Sequence, residues 1–294
     1  MKKVNYRILG LFVFIILTSG LAWPVNKVGL HYMSPLWYTS SRLVIASIAM
    51  LSLVIYLKRF SFPRFRDLPL ILIIGILQIG GFIYLTNLGL SYLPAGHSAL
   101  LAYTTPLWIM PLATLLFKEK SGLYKWLGFC LSISGLILLM NLWDLNFSNP
   151  HVLFGCGALL LASFSWAISM LCVRYMKWTK SPLELIPWQL LVAAIPMMAY
   201  AWVNEPVSQI VWNRELILSL AYTGVVVTGL SYWCGVIVNK ELPTILLSLG
   251  FLVVPVFSLL TSSFFLNEKI NLPSMAAIGL IFLGLVFVVS TREA

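Results

Sequence analysis

Ten apolar stretches, each close to twenty residues long, follow one another along the chain with short links between them. They run at about 8–25, 35–57, 68–90, 95–117, 123–142, 152–173, 183–203, 216–238, 244–266 and 273–290. About 20 apolar residues in a helix cover the hydrocarbon core of a bilayer. In lipid every backbone polar group needs a partner within the protein, which leaves helices or a closed barrel. Barrel strands are segments of roughly ten residues that alternate in polarity, and these runs do not alternate. The sequence therefore predicts an all-α integral membrane protein with ten transmembrane helices. Composition agrees: 60% of the residues are hydrophobic and 10% are charged, against roughly 25% charged in a soluble domain. A soluble enzyme, a disordered tail and a small disulfide scaffold are excluded.

The net charge of +10 raises the question of an acidic partner such as nucleic acid. The positions of the charges answer it. With the N-terminus in the cytoplasm, the inner segments hold Lys2, Lys3, Arg7, Lys58, Arg59, Arg64, Arg66, Lys118, Lys120, Lys125, Arg174, Lys177, Lys180, Lys240 and Arg292. The opposite side holds Lys27, Arg214 and Lys269, and Arg42 falls inside the second stretch. This is the asymmetry of the positive-inside rule. Both termini are expected in the cytoplasm, in a bacterial inner membrane, with lipid around the chain and no nucleic-acid partner. Lys2, Lys3 and Arg7 before an apolar run also fit a signal peptide. The run continues into Trp23-Pro24-Val25-Asn26-Lys27 without a small-residue cleavage site, so a first span is the expectation. Cys130, Cys156, Cys172 and Cys234 lie within spans, without metal-ligand spacing, and read as small apolar residues.

The chain repeats itself. A shift of 149 residues brings Gly75 onto Gly224, Gly80 onto Gly229, Pro94 onto Pro243, Pro106 onto Pro255, Glu119 onto Glu268 and Gly135 onto Gly284. A shift of 147 brings Lys27 onto Arg174, Ser34-Pro35 onto Ser181-Pro182 and Arg42 onto Gln189. Two units follow, 1–147 and 148–294, of five spans each. Five is odd, so the second unit enters the membrane from the opposite side. Inverted repeats of this kind are characteristic of secondary transporters, with the solute site between the halves. Two inverted five-helix repeats around a central cavity are expected.

Residues Pro94-Ala95-Gly96-His97-Ser98-Ala99-Leu100-Leu101-Ala102-Tyr103-Thr104-Thr105-Pro106-Leu107-Trp108 and Phe117-Lys118-Glu119-Lys120, with Pro255 and Asn267-Glu268-Lys269 in the second half, carry a resemblance. Together with the paired halves they resemble the drug/metabolite transporter superfamily, specifically its EamA-type exporters, over essentially the whole chain. A tryptophan followed by a basic residue in spans 1 and 6 (Trp23 with Lys27, Trp166 with Arg174) is similar to the same pattern. The resemblance implies ten helices around a cavity and export or facilitated movement of amino acids, metabolites or drugs. At His97 many members with this pattern carry arginine, so their preference for anionic solutes does not transfer.

Helical spacing yields candidates for a cavity lining. Gly80, Tyr84, Asn87 and Ser91 form one stripe, and Tyr222, Val226, Gly229 and Trp233 the corresponding one. Either stripe also suits plain interhelical packing. Ser19, Trp23 and Asn26 share a face, as do Ser165, Ser169 and Cys172. The serines could instead bond the carbonyl four residues back, and Trp23 could belong to an interfacial belt. His97, Leu101, Thr104 and Trp108 share a face of span 4. An ionisable side chain within a span usually meets a cavity or a partner, which recommends His97, although it lies near the span's outer end. Arg42 has snorkelling to the outer surface as its simple explanation. Pro106 and Pro255 interrupt helix bonding and are candidates for gating or for static kinks. Glu119 and Glu268 read as caps or interhelical contacts.

No phosphate-binding loop occurs, and no Asp or Glu sits in the middle of a span. A facilitator or exchanger of small, amphipathic, neutral-polar solutes is expected, amino acids first, with no cofactor and no metal. A membrane enzyme or a structural membrane protein is the alternative. An enzyme would need paired carboxylates, a Ser/Lys pair or a metal cluster at membrane depth, and none is found. Small residues in span 5 (Gly128, Ser132, Gly135) and span 10 (Gly279, Gly284) leave a homodimer open beside intramolecular packing.

Overall fold

A computed structural model describes residues 6–118, 122–140, 148–266 and 272–290. Glu119 and Glu268 lie outside the described residues. All of the regular structure described is helical. In chain order the helices are α1 (Tyr6–Gly29), α2 (Pro35–Tyr56), α3 (Leu68–Ile73), α4 (Phe82–Tyr92), α5 (Ala95–Ala102), α6 (Thr105–Phe117), α7 (Leu123–Met140), α8 (Pro150–Tyr175), α9 (Pro182–Asn204), α10 (Arg214–Ala221), α11 (Tyr232–Glu241), α12 (Thr244–Gly250), α13 (Val253–Leu266) and α14 (Leu272–Ser290). Wider π turns join α3 to α4 at Ile74–Gly81 and α10 to α11 at Tyr222–Ser231. Among the described residues seven continuous helical runs are long and apolar enough to cross a membrane, and three further apolar stretches are shorter.

The starts of these helices follow from local chemistry. Ser34 and Ser181, each followed by proline, accept a hydrogen bond from the backbone N–H three residues on, at Trp37 and Glu184. Proline belongs at the first helical position, where its missing N–H has no partner to lose. The two Ser-Pro pairs matched in the sequence are thus equivalent helix starts.

The breaks also have causes. Pro106 has no N–H to give the carbonyl of Ala102, where α5 ends, and Thr105 Oγ1 donates to that oxygen instead at 3.3 Å. Pro255 leaves Phe251 in the same position, and the N–H of Val254 reaches it at 2.9 Å. Both prolines therefore stand in the first turn of a resumed helix. The π turns carry an extra residue per turn, and hydroxyl groups meet the carbonyls they displace. Ser165 donates to the carbonyl of Leu77 at 2.7 Å, and Ser231 to that of Val226 at 3.0 Å. Leu77 and Val226 are 149 residues apart.

Glycines set the closest helix approaches. A Cβ on Gly75 would stand 2.6 Å from the carbonyl oxygen of Gln189, and one on Gly224 would stand 3.2 Å from that of Arg42. The first π segment thus lies against α9 and the second against α2, each on a helix of the other half. α7 and α14 pack along each other in the same close manner. A Cβ on Gly135 would sit 2.7 Å from the carbonyl of Ala277, and one on Gly284 would sit 2.5 Å from that of Gly128. Gly128, Ser132, Gly135 and Gly284 are engaged within the chain, whereas Gly279 faces open space.

Candidate functional site

Between the two halves of the chain lies a cavity of about 110 Å³. α1 contributes Ile15, Ser19, Trp23 and Asn26, and α2 contributes Arg42. The first π segment and α4 contribute Gln78, Phe82, Ile83 and Thr86. The break between α5 and α6 supplies Ala102, Tyr103 and Thr105, and α8 supplies Trp166 and Met170. From the second half come Thr228, Ser231, Tyr232 and Asn239, with Leu247 and Phe251 from the second break. Six aromatic rings face this space. Trp23 meets Tyr103 edge-on at 6.2 Å, Phe82 lies 4.5 Å from Trp166, and Trp166 lies 6.4 Å from Tyr232. Rings at these separations make a largely apolar wall with a few placed polar groups, the usual make-up of a small-molecule site.

Among the described residues Arg42 is the single charged one in the lining. It is 6% exposed. Its Nε donates to Thr228 Oγ1 and its Nη1 to Asn26 Oδ1 at 3.3 Å. Tyr38, fully buried, donates to the same Asn26 oxygen at 3.3 Å. The snorkelling position open to Arg42 in the sequence is not the one it takes, because its hydrogen-bond partners lie inward, on α1 and on the second π segment. At the other polar point, Tyr232 OH donates to Gln78 Oε1 at 2.8 Å. Asn239 Nδ2 donates to the carbonyl of Met170 at 3.0 Å.

The residues singled out in the sequence are dispersed. Trp23 lines the cavity. Tyr84 does not; it borders a shallow outer hollow with Leu36, Pro196, Met197 and Tyr200. Asn87 is fully buried and donates to Thr39 Oγ1 at 2.9 Å, tying α4 to α2. Ser91 bonds the carbonyl of Leu88. His97 is half-buried in the first turn of α5, outside the cavity. Trp108 Nε1 donates to Ser163 Oγ at 2.7 Å, holding α6 on α8. Ser169 donates to the carbonyl of Ser165 at 2.9 Å, the local bond open to it in the sequence. Trp233 packs at the edge of the apolar cluster around α2 and α9. Arg42 and Asn26 were visible as polar residues in apolar spans. Gln78, Tyr103 and Tyr232 were not singled out, and nothing in their spacing sets them apart.

Both surfaces of the bundle are tied across the two halves. On one, Asp67 accepts from the N–H of Thr179 at 3.1 Å and from its hydroxyl. There too Trp188 Nε1 donates to the carbonyl of Ser61 at 3.1 Å. On the other, Ser34 donates to Glu205, Tyr32 to Glu215, and Trp37 Nε1 to the carbonyl of Glu205 at 3.3 Å. Among the described residues no group of three or more His, Cys, Asp and Glu side chains could hold a metal ion.

The sequence profile of the EamA-like transporter family matches residues 7–141 and again residues 153–290. The chain is 25% identical over 274 residues to the uncharacterized transporter YoaV of Bacillus subtilis, covering 93% of each. It is 26% identical over 289 residues to a probable amino-acid metabolite efflux pump of Salmonella typhimurium, covering 94% of this chain and 92% of that one. A solved crystal structure has the same fold, with a TM-score of 0.78 at 19% identity, over 96% of this chain and 98% of its own.

Proposed function

The chain belongs to the EamA-like transporter family, an integral multi-pass membrane protein, and on that basis we propose that it moves small amphipathic metabolites, amino acids foremost, through the central cavity by alternating access. The working parts are two inverted five-helix repeats, residues 1–147 and 148–294, which together make ten crossings of the bacterial inner membrane with both termini in the cytoplasm. The organism keeps its solute level by exchange or export through this path.

One observation carries the reading: residues matched by the two sequence offsets line one cavity. Trp23 and Met170 are 147 residues apart, as are Ser19 and Trp166. Phe82 and Ser231 are 149 apart, as are Ile83 and Tyr232, and Ala102 and Phe251. The matched breaks and matched π turns support the same two-fold relation. Two equivalent halves of odd span number can exchange roles, which yields one state open to each side at similar energy. The doubly matching family profile supports the duplication, and the relative named as an amino-acid metabolite efflux pump supports the solute class. No carboxylate lines the cavity, which favours facilitated exchange over a carboxylate proton relay.

Counterflow tests this reading. Proteoliposomes preloaded with unlabelled phenylalanine or leucine should accumulate the labelled amino acid transiently. Absence of trans-stimulated exchange for a panel of amino acids would overturn it.

A further inference from the structure

The polar end of the cavity is built almost wholly of hydrogen-bond donors. A guanidinium has five N–H donors and no acceptor. Arg42 spends one on Thr228 and one on Asn26. Its other three donors have no protein partner among the described residues. Because Asn26 must turn its oxygen toward Arg42, its amide NH2 is left facing away from the guanidinium, with no acceptor among the described residues. Gln78 repeats the pattern: its oxygen is taken by Tyr232, and its NH2 has no acceptor among the described residues. All three side chains are at least 92% buried and line the cavity. A charged donor set of this kind, away from bulk water and without a carboxylate beside it, is incomplete until an anion arrives.

From this we propose that Arg42, with Asn26 and Gln78, is the binding site for the carboxylate of the transported solute, and that no ammonium group is recognised. The solute class is an amphipathic monocarboxylate, with or without an α-amino group. Guanidinium and carboxylate match as a planar, bidentate pair. A single fixed cation balances one negative charge, so a phosphate dianion would be left half-neutralised in a low-dielectric site. The lining contains no acid to meet a cation. Asn239 Oδ1, a buried amide oxygen without a hydrogen-bond partner among the described residues, lies eleven residues beyond Thr228 along the same helical run, roughly 16 Å at 1.5 Å per residue. An α-ammonium adjacent to the bound carboxylate cannot reach it. The body of the solute would lie against Trp23, Tyr103 and Phe82. The assignment rests on the transport reading for its role, though not for the binding itself.

Three solutes sharing a phenyl ring test it on the full chain in lipid nanodiscs and proteoliposomes: 3-phenylpropionate, phenylalanine and phenethylamine. The carboxylate and the amino acid should bind and stabilise the protein against heat, with phenylpropionate at least as tight. Phenethylamine should not bind. Arg42→Gln should weaken carboxylate binding by roughly thirtyfold or more, and Arg42→Lys by less. Phenethylamine binding as well as phenylpropionate, phenylalanine binding without phenylpropionate, or no binding of any of the three overturns the proposal. So does an Arg42→Gln protein with unchanged affinity. If that variant does not fold, the comparison of solutes on the unaltered protein still decides. Carboxylate binding without flux would sink the transport reading and leave the site standing. Flux of phenethylamine that ignores Arg42 would do the reverse.

Discussion

Lys27 Nζ stands 2.6 Å from the carbonyl oxygen of Leu90 and 3.0 Å from that of Leu93, so a cation from α1 holds the last carbonyls of α4. Arg174 of α8 does the same for Lys240 near the end of α11. The last four carbonyls of a helix have no intrahelical partner, and a cation there also suits the negative end of the helix dipole. The two cations stand 147 residues apart in the sequence and meet the ends of helices in the same way.

Removing the first cap should loosen that helix end. Lys27→Ala loses a charge-assisted hydrogen bond of about 1.5–3 kcal/mol, enough to lower the thermal midpoint by roughly 5 °C in a protein of this size. Lys27→Arg should recover most of the loss. Differential scanning fluorimetry on detergent-solubilised protein reads it, and an alanine variant as stable as the parent would show the contact to be energetically idle.

Gln189 is Arg42's counterpart in the other half, and the two differ in what surrounds them. It is fully buried, and neither atom of its amide has a hydrogen-bond partner among the described residues. An unsatisfied buried polar group costs about 1–3 kcal/mol. Gln189→Leu should therefore raise the thermal midpoint by several degrees while leaving solute exchange near the parental rate. A drop in stability would mean that the amide is satisfied in the membrane.

The cavity wall separates two aromatic residues that look alike in the sequence. Trp23→Ala removes a ring that meets Tyr103 across the cavity and should weaken binding of an aromatic solute about tenfold. Tyr84→Ala, on the outer side of α4, should leave affinity unchanged. Titration calorimetry on both variants checks the pair, and equal losses would relocate the site.

Gly284 and Gly279 share one helix and should differ sharply in tolerance. A Cβ on Gly284 would fall against Ser132 and 2.5 Å from the Gly128 backbone oxygen, whereas one on Gly279 meets nothing within 4 Å. Backbone cannot yield as a flexible side chain can, so Gly284→Val should cost about 3 kcal/mol or more and reduce the yield of folded protein. Gly279→Val should express normally. Size-exclusion profiles of the two variants report the difference.

Much of the frame is legible from residue chemistry. Each apolar stretch coincides with a helix or an interrupted helical run, and the Ser-Pro starts at 34 and 181 can be located to the residue. The breaks before Pro106 and Pro255 follow from a missing N–H. The cavity lining is less legible, and the π turn accounts for one part of this. A spacing argument assumes 3.6 residues per turn, whereas residues 74–81 wind more slowly. The stripe Gly80, Tyr84, Asn87 and Ser91 is real as a row, but it faces α9 and α2, while Gln78, Phe82 and Thr86 face the cavity. Arg42 illustrates another limit. Its charge in an apolar span is plain, yet its surroundings depend on Thr228, 186 residues away. Trp108 and Ser169 were recognisable as polar-capable residues, but their partners, Ser163 and the carbonyl of Ser165, are structural.

The two π turns leave a helix one residue longer than the straight path requires. That surplus is slack. A turn of this kind can be handed along the helix by exchanging one carbonyl partner at a time, without tearing the helix open. Each such step turns the residue it passes by about 100° about the helix axis. Gln78 sits within one of these turns and Thr228 within the other, so two of the cavity's polar groups stand where the winding can change. A single-residue deletion there would take out the slack and freeze the helix at one setting.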